Sequence, residues 1–513
     1  MRAIIARVRW WQTAVVYQIY PRSFADATGD GVGDLEGIRR RLDHLAWLGV
    51  DAVWLSPIFR SPMQDFGYDV ADYRDVDPLF GTLGEFERLL AEAHARGIRV
   101  LLDWVPNHTS DQHPWFRESR AARTSPKRGW YIWRDPAPGG GPPNNWLAAF
   151  PRDTPAWTFD AATGQYYLHL FLPEQPDLDW SNPEVRDAME DVLRFWLDRG
   201  VDGFRVDVVH GLGKDARLPD LPPELASIPQ SALNDEESTH DILRALRRLV
   251  DAYPGDRVLV GEVWLLLART HARYFGRGDE LHLCFELPAA VLTPWDAAAW
   301  RERIADVAAR LDPIGAWPTW VLSNHDVPRH RSRFGSEAAA RAAAVLLLTL
   351  RGTPFLYQGE ELGLEDAVVP PERAVDPGGR DGCRAPIPWD ASPGHGWPRP
   401  PWLPWPPAPE RRSVERLRAD PGSILHLYRR LLALRRASPA LHAGSCRLLE
   451  APPGVLAYER AAGTARRIVL VNFTGTPLPV AAHGRVEIAS DGTGEDRPYA
   501  GVLAPAQALV LRA

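Results

Sequence analysis

The sequence predicts an alternating α/β fold, a closed (β/α)8 barrel of the TIM-barrel class, with a small insert after the third strand and a terminal antiparallel β-sandwich. Three observations carry that expectation. Short runs rich in Val, Leu and Ile recur, and helical patterns follow them. The stretch 108–180 is rich in Pro, Gly, Trp and Tyr and is too long for an ordinary connection. From about residue 441 the pattern changes to short alternating segments.

The candidate strands are 14–20, 51–56, 98–103, 201–207, 257–262, 281–287, 319–324 and 353–357, eight in all. Helices are expected over 35–48, 83–96, 183–198 and 337–350. Gly97 caps the second, Ser181 and Asn182 open the third, and Ser336 opens the fourth. Eight such units suggest a closed barrel whose active site lies at the carboxyl ends of the strands. The chain then divides into a barrel of residues 1–107 and 181–440, an insert of 108–180 and a C-terminal domain of 441–513 that includes segments 467–472 and 502–511. The excursion 358–420 contains the run WPRPPWLPWPPA, which its prolines make stiff and extended rather than helical.

Composition excludes several classes. With 45% hydrophobic and 24% charged residues over 513 positions, the chain is globular rather than disordered. A net charge of -7 gives no footprint for phosphate backbones or anionic lipid, so neither nucleic acid nor a membrane is expected as a partner. The longest apolar run, 342–350, lies between Arg341 and Arg351, far short of the ~20 residues that span a bilayer. The basic start has no apolar h-region. Cys284, Cys383 and Cys446 are too few and too dispersed for a disulfide framework or a CxxC metal site. A cytoplasmic protein is expected. The 21 Trp suit either core packing or flat faces for sugar rings.

Polar residues at strand ends are the informative ones, because a barrel aims them at one mouth. Asp103, Asn107 and His108 follow the third strand in DWVPNH, and Arg205 and Asp207 end the fourth in GFRVDVVH. Glu262 ends the fifth in VGEVW, and Asn324, His325 and Asp326 end the seventh in SNHD. Each alone could be a helix cap or a structural ion pair. Several carboxylates with two His and an Arg on four strand ends suit glycosidic bond cleavage, which needs one carboxylate at the anomeric carbon and one protonated carboxyl beside the leaving oxygen. Arg205, two residues before Asp207 on the same strand face, is expected to keep Asp207 ionised as nucleophile. Glu262, among Val260, Val263 and Trp264, is the candidate for a raised pKa and general acid. Asp326 would hold the distorted sugar.

The ordered motifs DWVPNH, QPDLDW, GFRVDVVH, GEVW and SNHD resemble the α-amylase superfamily, glycoside hydrolase family 13. VVYQIYPRSF, FGYDVADY and QPDLDW resemble its α-glucosidase and oligo-1,6-glucosidase group. The pattern departs at Asp179, where that group has Asn, and across 384–389. The resemblance implies Asp207 as nucleophile, Glu262 as acid/base and Asp326 as transition-state stabiliser. It also implies a sugar pocket lined by Asp65, Tyr68, His108, Arg205, His325 and an arginine of segment 380–384, with Arg384 favoured over Arg380. Small α-glucosides are the implied substrates, with no organic cofactor. Val208, directly after the nucleophile, is similar to the residue of α-1,6-preferring members.

The run DATGDGVGD at 26–34 places oxygen donors at every second position, like the first part of an EF-hand loop, or makes a plain Asp/Gly turn. The resemblance implies a structural Ca2+ or Mg2+ held by Asp26, Thr28, Asp30, the Val32 carbonyl and Asp34. An exo-acting retaining α-glucosidase is thus expected. The alternatives are a transglucosidase or a sucrose- or trehalose-processing enzyme of the same family, and, remotely, a non-catalytic ancillary protein, which typically loses catalytic carboxylates and carries a membrane helix.

Overall fold

The computed structural model describes residues 8–151, 153–228, 235–265, 268–287 and 292–513; the first seven residues of the basic start lie outside them. Eight parallel strands form the centre: β1 (Val16–Ile19), β2 (Ala52–Leu55), β3 (Arg99–Trp104), β4 (Gly203–Val206), β5 (Val258–Gly261), β6 (Leu283–Cys284), β7 (Thr319–Val321) and β8 (Thr353–Tyr357). Their order is β6-β5-β4-β3-β2-β1-β8-β7, and a parallel bridge between Phe285 and Thr319 brings the two edges together. The barrel is therefore nearly closed.

The strands are apolar on both faces, as strands buried between a barrel interior and a helical ring must be. Val16, Trp54, Leu101, Val258, Val260 and Phe355 fill the interior, while Tyr17, Val53, Val100, Leu102 and Leu259 pack outward under the helices. Most strands are shorter than the apolar runs that announce them, so the expected terminal residues Asp207, Glu262 and Asn324 stand just beyond β4, β5 and β7.

The expected helix 35–48 is two helices, Leu35–Arg40 and Leu42–Leu48. Arg41 leaves helical geometry between them (φ −103°, ψ 2°), its guanidinium lying 4.2 Å above the Trp389 ring. Leu83–Ala95 opens on a Thr82–Glu85 capping box, Pro183–Asp198 on Asn182, and Glu337–Thr349 on Ser336.

Between β3 and β4 the strands Trp133–Arg134, Gln165–Leu168 and Trp157–Asp160 form a small antiparallel sheet. A bridge between His108 and Asp177 ties its entry to its exit, directly above the barrel mouth. At the end of the chain, β9 (Ser445–Leu448), β10 (Val455–Ala462), β11 (Ala465–Asn472), β12 (Arg485–Ala489) and β13 (Ala508–Arg512) form an antiparallel sheet ordered β9-β10-β11-β13-β12. The expected segment 502–511 serves two sheets, because Val502–Leu503 pairs with Leu478–Pro479 while β13 joins the larger one. Among the described residues no helix is long and apolar enough to cross a membrane.

Candidate active site

A cavity of about 420 Å³ opens at the carboxyl ends of the barrel strands. Asp207, Glu262 and Asp326 line it, with Asp65, Tyr68, His108, His325 and Arg380. Of the residues expected at the pocket, Arg205 and Arg384 lie behind its wall, both almost wholly buried.

The register of the barrel assembles the floor. Asp103 on β3 pairs with Arg205 on β4, and β5 runs on the other side of β4. Arg205 Nη1 donates to Asp103 (2.7 Å) and to Asp207 (2.6 Å), and its Nη2 lies 2.8 Å from Glu262 Oε2. One guanidinium thus serves three carboxylates: the expected pair with Asp207 forms, and Asp103 and Glu262 share it. Burial pushes Asp103 up to about 6, with Arg205 pulling the other way. Burial likewise raises the Asp207 carboxyl well above its ordinary range; Arg205 opposes this, while Glu262 and Asp103 add to it. The surroundings of Glu262 are also less apolar than its sequence neighbours suggest. Its oxygens accept from the Val208 amide (3.1 Å) and the Trp264 indole (3.1 Å). Val208 reaches that position with φ +43°, a left-handed conformation that is strained for a β-branched residue.

The second half of the site surrounds Asp326. Its Oδ1 accepts from Arg380 (3.0 Å) and Arg384 (3.3 Å), and its Oδ2 lies 3.1 Å from His325 Nε2. Burial would raise the Asp326 carboxyl, yet these neighbours outweigh it and hold it below the usual carboxylate range. His325 is pushed down to about 3, chiefly by burial. The Gln18 amide donates to its Nδ1 (2.8 Å), which leaves the proton on Nε2, 2.6 Å from the Tyr68 hydroxyl. Tyr68 stacks on the His325 ring (5.4 Å, 2°) and donates to Asp103 (2.9 Å).

Arg380 Nη2 meets Asp65 at 2.6 Å, and both line the cavity. The sequence favoured Arg384 for this place. Its Nε is instead engaged by the His325 carbonyl (2.8 Å) and its Nη1 by Asp376 (3.2 Å), so it underlies Asp326. His108 contacts the Tyr68 carbonyl and the Gln175 amide (both 3.1 Å), and Gln175 also reaches Asp65 (3.2 Å). Phe150 and Phe171 come from the insert, and their aromatic, aperiodic surroundings carry no signal that singles them out. Among the described residues Trp264 is the one Trp in the cavity wall; Trp54, Trp104, Trp196 and Trp300 are core.

In the 26–34 loop the carboxylates expected at a cation also accept the loop's own amides. Asp26 accepts the amides of Gly29 (2.6 Å) and Gly31 (2.9 Å), and Asp30 that of Val32 (2.8 Å). Asp34 accepts those of Ala27 (2.8 Å) and Thr28 (3.0 Å) through one oxygen and caps the helix at Gly37 (2.6 Å) through the other. Among the described residues no three His, Cys, Asp or Glu side chains converge on a point where a metal could sit. The loop is instead covered by the proline-rich run, whose Trp402 amide donates to Gly31 O (3.0 Å).

A barrel mouth that gathers a buried carboxylate pair and a third, cation-held carboxylate around a sugar-sized cavity defines a glycoside hydrolase. Residues 18–444 match the model of the α-amylase catalytic domain, and the chain belongs to that family, within its α-glucosidase group. It is 44% identical to the "Probable alpha-glucosidase" of Rhizobium meliloti, over 91% of this chain and 89% of the relative. It is 38% identical to the oligo-1,6-glucosidase of Parageobacillus thermoglucosidasius, over 91% and 90%. Among solved structures, an α-glucosyl transfer enzyme, XgtA, superposes with a TM-score of 0.91 at 41% identity, covering 99% of this chain and 100% of that one. The trehalulose synthase MutB of Pseudomonas mesoacidophila MX-45 does so with 0.92 at 35%, covering 98% and 99%.

Proposed function

We propose that this glycoside hydrolase is a retaining, exo-acting α-glucosidase that removes terminal glucose from short α-glucosides. The observation that carries the proposal is the shared guanidinium. Asp207 and Glu262 both reach Arg205, at 2.6 and 2.8 Å, which favours the close carboxylate spacing of a double displacement over the wider one that admits a water between them. Asp207 attacks the anomeric carbon while Glu262 protonates the leaving oxygen. A covalent glucosyl-Asp forms, and Glu262, now deprotonated, takes a proton from the attacking water. Asp326, kept ionised by Arg380, Arg384 and His325, holds the ring hydroxyls as the oxocarbenium character develops. Tyr68 offers its face to the ring, and His108 and His325 offer ring nitrogens.

The Asp65–Arg380 pair in the cavity wall supports exo action, since it offers a carboxylate and a guanidinium to the far hydroxyls of a terminal sugar. Val208 beside the leaving-group side disfavours the rigid α-1,4-linked second ring and favours α-1,6 linkages. A second reading, transfer of glucose to a sugar hydroxyl, draws on the apolar mouth formed by Val208, Trp264 and Val327 and on the likeness to XgtA and MutB. Product analysis on maltose, isomaltose, sucrose and trehalose tests both. Free glucose from isomaltose as the main product supports hydrolysis, isomerised or longer sugars support transfer, and no cleavage of any of the four rejects the assignment.

A further inference from the structure

We propose that Asp376, which does not line the cavity, is the residue that positions Arg380 across the end of the sugar pocket; this rests on the glucosidase reading above. Its side chain is wholly buried, and it takes four donors. Asp376 Oδ2 accepts the Arg380 backbone amide (2.6 Å) and Nε (2.9 Å), and Oδ1 accepts Arg380 Nη2 (2.7 Å) and Arg384 Nη1 (3.2 Å). The Nε–Nη2 edge of Arg380 is therefore held in a two-point fork, which fixes the plane of the guanidinium. In that plane the remaining donors reach both Asp326 (3.0 Å, from Nη1) and Asp65 (2.6 Å, from Nη2).

The charge balance requires the same residue. Arg380 and Arg384 both converge on Asp326 Oδ1, so two cations meet at one oxygen. Asp376 Oδ1 bridges them from the other side and offsets their repulsion. Local sequence makes the fold-back possible. In DPGGR, Gly379 adopts φ +73°, and a Cβ on Gly378 would stand 2.9 Å from Arg380 Nε and 3.2 Å from Asp376 Oδ2. Asp376 is held in turn, its own amide donating to Asp381 Oδ2 (3.1 Å). Asp376 thus acts on the substrate through Arg380 and does not touch it.

The test is a mutant cycle on the full chain with p-nitrophenyl α-glucoside. Asp376→Asn should raise KM about 10- to 100-fold, because the misplaced Arg380 no longer meets the terminal sugar. The double variant with Arg380→Ala should be no worse than Arg380→Ala alone, within about twofold. A merely structural role would reduce the active fraction, lowering kcat with KM unchanged, and that result overturns the proposal, as do additive losses. If Asp376→Asn does not fold, Asp376→Glu keeps the charge beside the exposed 377–379 turn, which can give way. It should hold KM near the parent value, and a KM as high as that of Arg380→Ala overturns the proposal. Should the parent enzyme cleave no α-glucoside, the functional reading falls separately. A crystal structure of Asp376→Asn then decides this one: Arg380 withdrawn from Asp65 supports it, and Arg380 unmoved overturns it.

Discussion

Glu361 is a carboxyl buried just beyond β8 and outside the cavity lining, and its replacement by Gln should stabilise the protein at alkaline pH. Burial pushes it up to about 7 from 4.5, although the Tyr17 hydroxyl (2.8 Å) and the Gly359 amide (2.9 Å) both donate to it. Because the folded-state pKa lies above the unfolded one, folding takes up a proton. The associated stability is complete below about pH 4.5 and is lost as pH rises to about 7. At ~1.4 kcal/mol per pKa unit, the loss above that window is of order 3 kcal/mol. Gln is neutral at every pH and can accept from Gly359 while donating to the Tyr17 oxygen, forfeiting ~1 kcal/mol of charge-assisted hydrogen bonding. The net gain at pH 8 is then ~2 kcal/mol, about 2 °C in Tm for a chain of 513 residues. At pH 4.5 the difference should vanish or reverse. Thermal unfolding of parent and Glu361→Gln at both pH values measures this, since titrating groups that do not face Glu361 cancel in the comparison, and Tyr17 and Glu360 are the ones that face it. A Tm difference that is the same at pH 4.5 and pH 8, or a loss at pH 8, would refute the reasoning.

Glu262→Gln should leave the fold intact and reduce glycosylation roughly 100- to 10,000-fold, with a smaller loss for a dinitrophenyl leaving group that needs little protonation. Equal loss for all leaving groups in single-turnover kinetics would count against Glu262 as the acid. The first sugar released should be the α anomer by proton NMR, and β-glucose would reject Asp207 as a nucleophile. Val208→Thr keeps the β-branched shape at φ +43° and should lower the isomaltose-to-maltose ratio of kcat/KM by up to about 100-fold, with Tm little changed. An unchanged ratio would leave Val208 as packing only.

The barrel was legible because its strands are apolar on both faces and its helices carry explicit caps, signals confined to a few neighbouring residues. Asp207 and Glu262 were legible for a related reason: they directly follow β4 and β5, and strand ends share one mouth. What escaped depends on contacts that no local pattern encodes. Phe150 and Phe171 enter the cavity from an insert without periodicity. The choice of Arg380 over Arg384 turns on a buried aspartate four residues away that fold-back brings against both. In the 26–34 loop, alternating Asp and Gly serve a self-bonded turn as well as a cation, so the spacing alone does not choose between the two.

Charge is where neighbour-by-neighbour reading fails most instructively. Arg205 and Asp207 share a strand face, so their pairing was expected, but in a closed sheet each strand has two neighbours. Asp103 comes from β3 and Glu262 from the end of β5, and both claim the same guanidinium. Three buried carboxylates around one cation cannot all stay ionised at low cost, as the upward displacement of Asp103 and Asp207 shows. Burial and their mutual charge disfavour the ionised forms of Asp103 and Asp207, and Arg205 opposes both. Of these three carboxylates, Glu262 is the one that accepts from the Trp264 indole in the cavity wall. Arg205 touches both Asp207 and Glu262, so in the proposed double displacement one guanidinium stays beside the carboxylate that loses its charge to the glycosyl bond and the one that gains charge by giving up a proton.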